Sequence, residues 1–196
     1  MTLHSSVERD AKKFLEGSEG CHGWGHTERV RALCKRIGRE EGADLEVLEL
    51  AALLHDIGRR FEAESGGRIC HAEKSAELAK TILEKYGIER EEIDAVVHCV
   101  ECHRFRGNRM PGSKEARILF EADKLDSIGA IGIGRAFLFC GEHGGRFHSP
   151  FREFEVKMGK IKDLMQTATG KRMAKERHAF MEAFFERLKK EMDGEL

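Results

Sequence analysis

The segment Leu45-Glu46-Val47-Leu48-Glu49-Leu50-Ala51-Ala52-Leu53-Leu54 is almost wholly apolar and ends on the pair His55-Asp56, followed at once by Ile57-Gly58. Such a run reads as a buried helix, and two titratable side chains at its end are costly unless something compensates them. Adjacent helical residues point about 100° apart, so imidazole and carboxylate can flank one point just beyond the helix end. A divalent cation is the simplest object to sit there. Taken alone, the pair is equally well a cap that shares hydrogen bonds with backbone. The remainder of the chain decides whether further ligands exist.

The pattern is helical nearly throughout. Val30, Leu33, Cys34 and Ile37 make a 3.6-period stripe that ends in the region of Gly38 and Gly42. Ala72 to Tyr86 and Ile88 to Phe105 carry further stripes, separated at Gly87. Arg59 to Cys70, with Gly66-Gly67, reads as a polar loop, and Arg106 to Ser113 as a second one. Glu115 to Ser127 is predicted helical, and Ile128 to Cys140 continues after a bend near Gly129, Gly132 and Gly134. Gly141 to Pro150 is the most loop-like stretch and suits a pocket cover. From Phe151 onward the spacing predicts one or two long amphipathic helices, broken near Gly170. No strand run, repeat or linker stands out. The expectation is one all-α domain over 1–196, a helical bundle with its core at about 20–140 and C-terminal helices over 151–193.

Composition excludes several functions. The net charge is −1, which supplies no basic field to recruit nucleic acid, so no stable nucleic-acid partner is expected. Residues 1–20 are polar and charged and lack the apolar core of a signal peptide. No apolar run reaches the roughly 18 residues that span a bilayer, so no membrane partner is expected. Six cysteines, at 21, 34, 70, 99, 102 and 140, are too scattered for a disulfide scaffold. Reduced thiols in a cytoplasmic protein are the plain reading. Ten histidines suggest ligands for borderline metals.

Two further positions answer His55-Asp56. His26 follows Gly23-Trp24-Gly25 at the start of the first long helix, where a glycine-flanked turn permits close approach. Asp123 shares a helical stripe with Ala116, Leu119 and Asp126, so two carboxylates sit among apolar neighbours. Asp123 taken singly could be a salt bridge inside the bundle. His26, His55, Asp56 and Asp123 together offer two neutral imidazoles and two carboxylates. That set balances one divalent ion and suits Mn, Fe, Co, Ni or Zn better than Ca.

The order His … His-Asp … Asp on helices resembles the HD-domain metal-dependent phosphohydrolases. Gly25-His26-Thr27-Glu28-Arg29-Val30, Leu53-Leu54-His55-Asp56-Ile57-Gly58 and Glu121-Ala122-Asp123-Lys124-Leu125-Asp126-Ser127-Ile128-Gly129-Ala130 all look like that family's signature segments. Met165-Gln166-Thr167-Ala168-Thr169-Gly170-Lys171 resembles the C-terminal helix of its compact, stand-alone branch. The resemblance implies an enzyme that hydrolyses phosphate esters or anhydrides, with nucleotides or nucleoside triphosphates as substrates and a metal-activated water as nucleophile. A phosphodiesterase or 5′-nucleotidase of the same fold is the near alternative. A catalytically silent, metal-bound interaction module is a more distant one.

In two-metal members, histidines placed like His71 and His103 bind a second ion; in one-metal members they face substrate. Lys124, Arg59 or Arg104 would hold the anionic substrate. Asp126 is expected to orient a ligand. His98, five residues before His103, is not on the same helical face and is a poorer candidate. His4, His22, His143, His148 and His178 are assigned to surface or loop, with His143 and His148 on the pocket cover.

Cys99-Val100-Glu101-Cys102-His103 matches the C-x-x-C-H pattern of covalent haem attachment, but it lies within an amphipathic helix and no export signal precedes it. Free thiols are the better account. The C-terminal stripe of Phe154, Met158, Ile161, Leu164 or Met165, Met173, Phe180, Phe184 or Phe185 and Leu188 reads as core packing, with enough apolar surface for a homodimer.

Overall fold

A computed structural model describes residues 2–17, 23–104, 109–147, 149–156 and 158–196, without the side chains of 151, 153, 155 and 156. Cys21, His22, Phe105 and His148 lie outside the described residues. Among those described every regular element is helical, and the chain divides into two compact units, residues 1–123 and 124–196.

The first unit holds α1 (Leu3–Leu15), α2 (Trp24–Glu41), α3 (Leu45–Leu54), α4 (Arg59–Glu64), α5 (His71–Lys85), α6 (Arg90–Cys102) and most of α7 (Lys114–Leu125). Asp44 caps α3, its carboxylate accepting from the amides of Glu46 and Val47. Leu48, Leu50, Leu53 and Leu54 are all buried, each contributing up to about 1.5–3 kcal/mol. Apart from Leu45, Glu46 and Glu49, α3 is thus buried, packing against α1, α2, α5 and α6. α7 runs antiparallel to α2. At one end Lys114 donates to the carbonyls of Glu41 and Gly42, satisfying the exposed C-terminus of α2. At the other end Asp123 reaches His26 near the start of α2.

Two elements of this unit differ from the sequence expectation. The polar segment after Gly58 is not wholly loop: its first six residues form α4, which buries no residue. Its place is set by side-chain bonds, so it shows no apolar period. α1 had no counterpart in the sequence reading. Only Val7, Ala11 and Leu15 of its apolar side face the core, and Asp10 fastens it by accepting from Lys85 Nζ and Tyr86 Oη, each at 2.7 Å.

The second unit contains α8 (Gly129–Glu142), α9 (Ser149–Val156), a 3₁₀ helix (Met158–Leu164) and α10 (Ala168–Met192). The C-terminal break falls before Thr167, not at Gly170. The Thr167 hydroxyl accepts from the Gly170 amide and so caps α10, placing Gly170 inside its first turn. α10 buries Met173, Ala174, His178, Met181 and Phe185. His178 is therefore a buried residue, contrary to its surface assignment, and Phe180 is half exposed where Met181 was passed over.

No described helix is long and apolar enough to cross a membrane.

Candidate metal centre

The end of α3 places His55 and Asp56 in the interior of the first unit, where both are almost fully buried. His55 Nδ1 lies 2.8 Å from the Ala52 carbonyl, three residues back in its own helix. A carbonyl can only accept, so Nδ1 carries the proton and Nε2 keeps a lone pair. Burial, and then the neighbouring imidazoles of His103 and His26, push the His55 pKa down to about 4 despite the nearby Asp56. At neutral pH it is therefore an uncharged, ligand-competent imidazole.

Around that lone pair stand the other residues singled out from the sequence. His55 Nε2 is 3.2 Å from His26 Nε2, and His26 Nε2 is 3.3 Å from Asp123 Oδ1. Asp56 Oδ2 lies 3.5 Å from the Nε2 atoms of both His26 and His55. Donors held about 2.0–2.2 Å from one ion in tetrahedral or octahedral geometry are separated by about 3.0–3.5 Å. The observed spacings match that range.

The opposite oxygen of the same carboxylate faces a second group. Asp56 Oδ1 is 3.6 Å from His71 Nε2 and 3.4 Å from His103 Nε2, and those two nitrogens are 3.2 Å apart. His103 Nδ1 donates to the Val100 carbonyl at 2.6 Å, and His71 Nδ1 to the carboxylate of Glu62 at 2.6 Å. The neutral His71 ring therefore turns its Nε2 lone pair toward Oδ1, beside the Nε2 of His103. Burial, and then the charge of Arg59, push His71 down to about 4, so it too is neutral at pH 7. Asp56 Oδ1 is buried and accepts no hydrogen bond.

An anionic carboxylate facing the lone pairs of the neutral His55 and His71 is repelled by them unless something stands between. A cation resolves that repulsion, and the donor chemistry fits a divalent transition ion. The set His26, His55 and Asp123 and the set Asp56, His71 and His103 each bring their donor atoms within 4.8 Å of one another. Burial pushes the Asp56 carboxyl up, but His55 and Arg59 outweigh it and hold the group well below the usual carboxylate range.

The close approach of α5 depends on the residue after Ile57. The Gly58 amide donates to Ser75 Oγ at 2.8 Å, and the first turn of α5, bearing His71, lies directly against the Gly58 Cα.

Among the proposed substrate-holding residues, Arg59 donates through Nε to Asp56 Oδ2, and Arg104 donates through Nη1 to Glu62 Oε1 at 2.6 Å. Both arginine side chains are about a quarter exposed. Lys124 and Asp126 belong to the second unit, where Asp126 is paired with Arg135. His98 is directed elsewhere, to Cys102 Sγ and the Gly112 amide. Cys99 is buried, and burial pushes its thiol up to about 12. His103, the last member of the C-x-x-C-H pattern, faces Asp56. Sequence reasoning missed Glu62 and Ser75, and named Gly58 without its part in admitting α5. The one available signal for Glu62 was an acid among arginines just before His71.

Two groups of imidazole and carboxylate donors thus stand on either side of the buried Asp56 carboxylate. Residues 23–128 match the HD domain, and the chain belongs to that family. It is 36% identical over 191 residues to the uncharacterized protein YpgQ of Bacillus subtilis, covering 93% of this chain and 90% of that protein. The crystal structure of B. subtilis YpgQ in complex with ADP superposes with a TM-score of 0.79 at 31% identity, covering 96% and 94% of the two chains. A predicted HD-superfamily hydrolase from an uncultured Thermotogales bacterium superposes at 0.73 with 30% identity, covering 96% and 91%.

Proposed function

We propose that this chain is a metal-dependent phosphohydrolase acting on nucleotides or nucleoside triphosphates. The observation that carries the reading is the Asp56 carboxylate: buried, ionised, with Oδ2 beside Nε2 of the neutral His55 and Oδ1 beside Nε2 of the neutral His71. His26, His55, Asp56 Oδ2 and Asp123 would hold one divalent transition ion. The unsatisfied Asp56 Oδ1 favours a second ion held with His71 and His103. When bound, such ions polarise a phosphoryl oxygen and make water nucleophilic near neutral pH.

The protein's own groups supply orientation and charge. Arg59 and Arg104 are partly exposed beside these donors, and their remaining N–H groups suit phosphate oxygens. The neutral state of His55 and His71 keeps both nitrogens open to a metal across the physiological range. Binding of ADP by the Bacillus relative supports a nucleotide ligand here.

His55→Ala or Asp123→Ala is expected to lose bound divalent metal and to abolish phosphate or pyrophosphate release from a nucleotide panel supplied with Mn, Ni, Co or Mg. Helicity should survive, because neither side chain fills the apolar core. Hydrolysis at the parental rate by either variant would overturn the assignment. Tight metal binding by the parent without turnover of any nucleotide would instead favour a silent interaction module.

A further inference from the structure

The histidines at the two ends of these helices obtain their orientation in different ways. His55 and His103 each stand just past a helix C-terminus and donate to the carbonyl three residues back, at Ala52 and Val100. That acceptor comes with the helix itself. His71 is the first residue of α5, and no helical turn precedes it to offer a carbonyl. Its Nδ1 acceptor must come from elsewhere in the fold, and it is Glu62 Oε2 at 2.6 Å, nine residues upstream. The other oxygen of Glu62 accepts from Arg104 Nη1, also at 2.6 Å, and Arg104 directly follows His103. A single carboxylate on α4 thus joins the start of α5 to the end of α6, the two places that bear the donors facing Asp56 Oδ1.

We infer that Glu62 is the positioning residue of the second cation: it holds the Nδ1–H of His71, presents Nε2 to Asp56 Oδ1, and through Arg104 keeps the His103 side of the pocket in register. The inference rests on the two-ion reading above. A carboxylate bonded to the remote nitrogen of a ligating imidazole fixes both ring orientation and tautomer and raises ligand basicity; its removal typically weakens metal binding about 10–100-fold. The first ion touches no group that Glu62 orients.

The test is titration of the full chain with manganese alone, by calorimetry and by electron paramagnetic resonance. The parent should take up two equivalents and show the broadened signal of a coupled Mn pair. Glu62→Ala should weaken the second equivalent about 10–100-fold, leave the first within about threefold, and show the six-line spectrum of isolated Mn. Glu62→Gln keeps the shape and one acceptor but sets its amide N–H₂ against a donor, so its second-site affinity should fall between the two. It also serves as the readout should the alanine variant lose helicity. Two unweakened equivalents in both variants, or equal weakening of both equivalents, would overturn the role of Glu62. One equivalent in the parent would overturn the two-ion reading itself and this inference with it.

Discussion

Replacing Gly58 by alanine should damage the fold and the second cluster together, and the size of the effect follows from the contacts. The Gly58 backbone, at φ −87° and ψ −3°, is open to any residue, so the requirement for glycine is one of space. A methyl carbon there would stand 2.6 Å from the His71 carbonyl oxygen and the Ser75 nitrogen, and 2.9 Å from Ser75 Oγ. Non-bonded carbon contacts settle at about 3.5–4.0 Å, so the first turn of α5 must retreat by roughly 1 Å. Overpacking of this kind costs about 1–3 kcal/mol. Breaking the 2.8 Å bond from the Gly58 amide to Ser75 adds about 1 kcal/mol. For a chain of this length, a total of about 2–4 kcal/mol lowers the melting midpoint by roughly 5–15 °C. The same retreat withdraws His71 from Asp56, so the second manganese equivalent should weaken while the first persists. Gly66→Ala is the control. Gly66 has φ +63° and open space around it, so alanine there costs about 1 kcal/mol in backbone strain and leaves metal uptake alone. Calorimetric melting and manganese titration of both variants make the comparison. A Gly58→Ala protein that melts within about 2 °C of the parent, with both equivalents intact, would refute the steric reasoning.

Hydrogen bonds from Lys85, Lys13 and Tyr86 hold the Asp10 carboxyl below its ordinary value of 3.8, so its contribution is full above that pH and fades as pH falls through the depressed folded value. Asp10→Asn should therefore cost roughly 1 kcal/mol near pH 7, discounted because Lys13 and Lys85 are largely exposed to solvent, with the difference in urea midpoint narrowing below about pH 4. A gap that is constant with pH would show that the carboxylate charge is irrelevant. Burial pushes the thiol of Cys34 well up, and that of Cys99 up to about 12. Iodoacetamide at neutral pH should therefore label the half-buried Cys70 and Cys140 about tenfold or more faster than Cys34 and Cys99 in the native protein, as read by peptide mass mapping. Equal labelling would contradict the packing of the α2–α6 region.

The most costly residues were the most legible. His55 and Asp56 stand out because a leucine-rich run leaves them no route to water, and His26 and Asp123 because a buried carboxylate and imidazole need partners of complementary chemistry. His71 and His103 were visible as candidates only, since a histidine at either end of a polar-faced helix has no apolar period to place it. α4 and Glu62 were not legible. α4 buries nothing, and its position is written in bonds to His71 and Arg104 that no local pattern announces. His178 could have been read: Ala174, His178, Met181 and Phe185 follow a 4-3-4 spacing, and the residue was judged by type when its phase put it inside. The cap at Thr167 is likewise written in the threonine preceding the last helical run, although Gly170 is the stronger breaker by residue type.

Diffraction from crystals grown with manganese, recorded at the manganese absorption edge, puts the gathering of these side chains to its most direct test. An anomalous peak about 2.0–2.3 Å from His26 Nε2, His55 Nε2, Asp56 Oδ2 and Asp123 is the predicted result, with a second peak beside Asp56 Oδ1, His71 and His103. Manganese bound only elsewhere on the chain, with these donors in their present places and no ion between them, would contradict it.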